Sequence, residues 1–151
     1  MRWLYLGHVL ATVLWVGGMF FAHQCLRPVA VAELDGPQRL RLWNGVFGRF
    51  FPWVWVSVVT LLATGHGLIA WMGGFAAVPV HAHVMTTIGY VMTGVFLYLF
   101  FVPYRRLRAA VLAEDWPAGA LALTRIRQLV GLNLLLGLAN VAGVYLLPLL
   151  G

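Results

Sequence analysis

Imidazole nitrogens are the donors used most often for protein-bound metal ions, and they also serve haem iron. This chain carries five histidines and only four carboxylates. His8, His66, His81 and His83 fall in apolar stretches that lack any acidic residue. A histidine in such a setting is costly unless its ring nitrogens find partners. Three or four of these nitrogens at one place would suit copper, with Met85, one helical turn after His81, as a sulfur donor. Two from facing helices would suit a six-coordinate b-type haem. Covalent haem attachment is excluded, because no Cys-x-x-Cys-His motif occurs in the sequence.

Composition determines what must position these side chains. The 151 residues are 62% hydrophobic and 9% charged, with mean hydropathy +0.90. Soluble domains carry about 25% charged residues, so the chain reads as a single all-α integral membrane domain over residues 1–151. The net charge of +6 comes entirely from arginine. Those arginines flank apolar stretches instead of forming a soluble patch, which argues against nucleic acid and for contact with a lipid bilayer. One cysteine, Cys25, allows no intrachain disulfide.

Four apolar stretches predict spans at about 3–26, 50–71, 80–102 and 129–147, each near the roughly 20 residues that cross a hydrocarbon core. Arg2 and the apolar run after it resemble a secretory leader, but no small-residue cleavage site follows, so a retained first span is expected. Gly73, Gly74 and Pro79 break the chain between spans two and three. Pro103 and Arg105-Arg106-Leu107-Arg108 stop span three, and Pro148 lies near the end of span four. Arg27, Arg39, Arg41, Arg49, Arg105, Arg106, Arg108, Arg125 and Arg127 fall in the two connections on one side, and only Arg2 on the other. The positive-inside rule then predicts a four-helix bundle with both termini on the outer side, in a bacterial inner membrane. The same threading brings His8, His66, His81 and His83 within roughly 10 Å of one another in depth, at about 1.5 Å per residue. His23 falls at the opposite end.

Within the first arginine-rich connection, Leu40, Trp43, Phe47 and Phe50 recur at helical spacing after Pro37. This predicts an interfacial amphipathic helix at about 37–48. Gly7 with Ala11, Gly18 with Ala22, and Ala139 with Gly143 have the small-xxx-small spacing of close helix contacts. Asn133 and Asn140 share one helix face and are expected to point inward. No span holds a carboxylate, and the sequence has no glycine-rich nucleotide loop and no Ser-His-Asp set. Redox chemistry or metal handling remains, beside a cofactor-free structural or assembly role.

The stretches Gly7-His8-Val9-Leu10, Trp15-Val16-Gly17-Gly18-Met19-Phe20-Phe21, Arg49-Phe50-Phe51-Pro52-Trp53, Val102-Pro103-Tyr104-Arg105-Arg106-Leu107 and Gln128-Leu129-Val130-Gly131-Leu132-Asn133 resemble the CopD (copper-resistance D) family in a short four-helix form. More distantly, the chain is similar to HemJ-type protoporphyrinogen oxidases, four-helix proteins that bind b-type haem. His8 and His81-Ala82-His83 carry that likeness, with His83 standing where that family has lysine. The resemblance implies a role in copper homeostasis, or in transmembrane electron transfer linked to it. Haem b is the first-choice cofactor and copper the second, held by His8, His81, His66 and His83. It also implies a quinone or a periplasmic redox or copper partner, and a homodimer is compatible with so small a bundle. A HemJ-like porphyrinogen oxidase is the alternative.

Overall fold

The computed structural model describes residues 1–146. Leu147, the last residue of the fourth expected span, and Pro148 lie outside the described residues. The described chain is helical almost throughout. Helix α1 (Arg2–Phe20) continues through a π-helical turn (Phe21–Leu26) into α2 (Arg27–Glu33). Then come α3 (Gly36–Trp71), α4 (Val80–Phe101), α5 (Pro103–Leu112) and α6 (Trp116–Leu146).

The breaks have local causes. The widened turn ends where Pro28 removes a backbone donor at the start of α2. Asp35 opens α3 with a capping box: its side chain accepts from the Gln38 backbone at 2.8 Å, and the Gln38 side chain accepts from the Asp35 backbone. Gly73 and Gly74, at φ +101° and +89°, close α3 in a region that β-carbons disfavour. Pro103 separates α4 from α5. Asp115 accepts from the Ala118 backbone at 3.0 Å and so caps α6.

Four helical runs of 32, 36, 33 and 31 residues are long and apolar enough to cross a membrane. At about 1.5 Å per residue each exceeds the roughly 30 Å hydrocarbon core, so the bundle projects beyond it, and the surplus carries the arginines. The segment expected as a separate interfacial helix at 37–48 is instead the first part of α3. Its apolar stripe faces protein: Leu40, Trp43 and Phe47 are buried, and Phe51 takes the place expected for Phe50. Nothing interrupts the helix at Arg49, and Pro52 is accommodated inside it.

α1 packs chiefly on α3, and α4 and α5 pack on α6. Gly18 admits Phe50 at the first of these contacts, since a β-carbon there would come within 2.4 Å of its ring. Gly137 admits Val16 and Met92, at 2.9 and 3.2 Å from such a β-carbon. Ala139, expected at a close contact, is exposed. The core centres on the aromatic stripe of α3. Trp43 stacks on Phe47 and Phe47 on Phe51, both with centroids 5.1 Å apart. Phe51 also meets Tyr104 edge-on at 4.8 Å, Phe96 at 5.8 Å and Phe100 at 6.0 Å. Val13, Val59 and Leu135 are exposed on the outside of the bundle, as lipid-facing residues must be.

Phe51→Ala should destabilise the bundle by about 3–5 kcal/mol. Val59→Ala, on the lipid-facing side, should change stability by less than about 0.5 kcal/mol. Unfolding by sodium dodecyl sulfate titration compares the two, and equal losses would contradict the aromatic core.

Candidate functional site

His8 and His66 lie at the end of the bundle remote from the arginine-rich segments, and they engage different neighbours of α3. His8 on α1 lies against Gly65, whose missing side chain gives it room: a β-carbon there would meet His8 Cε1 at 3.5 Å. His8 Nδ1 is 2.8 Å from Thr64 Oγ1. The Thr64 hydroxyl donates its own proton to the Thr60 carbonyl at 2.6 Å. It can therefore only accept from His8, so Nδ1 carries the hydrogen. In a neutral ring the Nε2 lone pair is then free. A hydrogen bond on one ring nitrogen that selects the other is the usual support for a metal-binding histidine.

His66 is two residues from Thr64, about 200° around the helix at 3.6 residues per turn. It faces α4. Its Nδ1 donates to the Leu62 carbonyl at 2.7 Å, and its Nε2 accepts from the Tyr90 hydroxyl at 2.6 Å. Both nitrogens are occupied, and the ring clasps α3 to α4. Phe75, in the connecting turn, meets the His66 ring at 6.3 Å and the His83 ring at 5.9 Å. His81 is half-buried near the start of α4 and makes no hydrogen bond among the described residues. Met85, one turn on, is also half-buried.

Among the described residues no group of three or more His, Cys, Asp or Glu side chains is placed to hold a metal ion. His8 and His66, expected at one depth, engage different neighbours: His8 meets Thr64 and His66 meets Tyr90. Equal depth does not give equal direction, and Thr64 and His66 present opposite faces of α3. Tyr90 and Phe75 escaped the sequence reading. Tyr90 sits well inside α4, away from the interfacial levels where tyrosine usually anchors, and that position was the available signal.

Asn133 and Asn140 do point inward. Asn133 Nδ2 donates to the Met92 carbonyl at 3.0 Å and Asn140 Nδ2 to the Met85 carbonyl at 3.3 Å. They tie α6 to α4, Asn140 at the turn that carries His81 and Met85 and Asn133 two turns further along. His23 lies at the arginine-rich end, against α6 at Gly131.

The family model for copper resistance protein D matches residues 44–147. The chain belongs to this family. The CopD match takes in His66, His81, His83, Met85, Asn133 and Asn140; His8 lies outside it. It makes the chain a copper-resistance-related, multi-pass membrane protein. The likeness to porphyrinogen oxidases gains nothing from it. No curated protein and no solved structure matches the chain.

Thr64→Val keeps the shape and removes the acceptor for His8 Nδ1. Nitrogen-15 NMR of labelled histidine should then show His8 in mixed tautomers, at a cost of about 1 kcal/mol in stability. An unchanged single tautomer would refute the Thr64 assignment.

Proposed function

We propose that this CopD-family protein handles copper as cargo at the histidine end of its bundle, with His8 as the leading ligand. The observation that carries this reading is the His8–Thr64–Thr60 chain, which leaves one imidazole nitrogen unprotonated and oriented by its support. His81, with neither ring nitrogen engaged among the described residues, is the second ligand, and His83 and Met85 are further donors on α4. These residues are divided between α1 and α4 and form no group of three or more among the described residues, which suits an ion passing among few ligands. Imidazole and thioether both suit copper. His66 would have to release Tyr90 before binding a metal, and its role in this reading is structural.

Haem b at the same residues has less support. A cavity of about 580 Å³ lies at the arginine end, and none of His8, His66, His81 or His83 lines it. Electron transfer and porphyrinogen oxidation through haem at these residues share that lesser support. Charge supports an orientation in a bacterial inner membrane with the end that carries nine of ten arginines in the cytoplasm and His8, His66, His81 and His83 outside.

Copper(I) affinity, measured by competition with a chromophoric chelator on detergent-solubilised protein, tests the reading. Thr64→Val should weaken binding by about 10–100-fold, the usual cost of losing an orienting partner. His8→Ala should weaken it at least as much, and His66→Ala should bind as wild type. Wild-type affinity in both His8→Ala and His81→Ala would overturn the assignment. Split α and β bands in the reduced visible spectrum would replace copper by haem.

A further inference from the structure

A cavity at the other end of the molecule is lined by none of His8, His66, His81, His83 and Met85. It lies between the π-helical turn with α2, the start of α3 and the start of α6. Its about 580 Å³ are lined by three arginines, Arg27, Arg39 and Arg127, with His23, Trp43 and Trp116 among them. No carboxylate lines it. The one ion pair among the described residues, Arg41 with Glu114 at 3.0 Å, lies elsewhere and leaves these three arginines without an acidic partner. Asp35 and Asp115, which cap α3 and α6, are also not part of the lining. Arg41 does bear on the site indirectly, lying 5.1 Å over the Trp116 ring. His23 Nδ1 is buried without a hydrogen-bond partner. Apart from Thr124 the rest of the wall is apolar, and it includes Leu40, Phe47 and Val130.

Three unpaired guanidinium groups above an apolar wall, at the level where helices leave the hydrocarbon, match one chemistry: a phosphate diester carrying acyl chains. Basic pockets between membrane helices are known to take anionic head groups, and the surrounding bilayer supplies them at high local concentration. Guanidinium is also the side chain best shaped for phosphate oxygens. We propose that this cavity holds one anionic phospholipid per chain, its phosphate among Arg27, Arg39 and Arg127 and its glycerol and upper acyl chains against Leu40, Phe47 and Val130. A soluble anion would use the arginines and leave that apolar wall unused. The π-helical turn, a departure often found at binding sites, contributes His23 and leads directly into Arg27.

Lipid binding to the whole protein in maltoside micelles, read by native mass spectrometry, tests this. Phosphatidylglycerol should bind at one per chain and resist displacement by millimolar inorganic phosphate, and phosphatidylcholine should bind at least about tenfold more weakly. The double variant Arg27→Gln/Arg127→Gln should lose about tenfold or more in phosphatidylglycerol affinity. Arg105→Gln/Arg106→Gln, which removes equal charge outside the cavity, should not. Ala120→Trp, which fills the cavity and keeps every arginine, should also lose the lipid, and it decides the matter if the double variant does not fold. Equal binding of the two lipids, displacement by inorganic phosphate, or wild-type binding in Ala120→Trp would each overturn the proposal.

Discussion

The stacked rings on one face of α3 hold the bundle together. In lipid, helices gain little by hiding apolar side chains from one another, because the surrounding tails are equally apolar, so close packing must supply the association. Trp43, Phe47 and Phe51 stack in series, and Trp55 extends the stripe one turn further to meet Phe96 and Phe100 at 5.3 and 5.5 Å. Phe51, buried against rings from α4 and α5, is the centre of this array. The array holds α4 and α5 against α3 on either side of the break at Val102.

The two ends of the molecule use that frame differently. At the arginine end, charge is concentrated beyond the apolar segments, with one carboxylate pairing and a cavity walled by cations. At the histidine end there is no acidic residue, and two imidazoles are held in short hydrogen-bonded chains: imidazole to hydroxyl to carbonyl at His8, tyrosine to imidazole to carbonyl at His66. Each of these chains spends one helix's backbone acceptor to orient a ring from the same helix or its neighbour. A ligand site there would consist of whatever nitrogens such chains leave over.

Much of the architecture was legible in residue order. Long apolar runs, proline and glycine breaks and the asymmetry of arginine specify four helices and the ends they share. Counting along straight helices also gave an expected depth for each histidine. Rotation about the helix axis was not legible. His66 and Thr64 stand two residues apart and point to opposite neighbours, and nothing in composition says which neighbour holds Tyr90 or His8. The amphipathic stripe of 37–48 was visible, but an apolar stripe beside basic residues reads the same whether it meets lipid or protein, and here it meets α5 and α6. Likewise, spacing alone singled out Ala139 with Gly143, while the contact is made at Gly137 because that is where Val16 and Met92 arrive.

The paired asparagines of α6 carry a further consequence. Asn133 and Asn140 are spaced by seven residues, and so are their acceptors on α4, Met92 and Met85, in reverse order. Sliding α6 by one heptad would preserve one of the two bonds, so polar pairing alone would act as a ratchet with more than one notch. Gly137 removes the extra notches. A seven-residue slip in either direction would bring Val130 or Val144 to its place, and a branched side chain there would collide with Val16 and Met92. The smallest residue in the helix thus locks a sliding scale that two of its polar residues would leave loose.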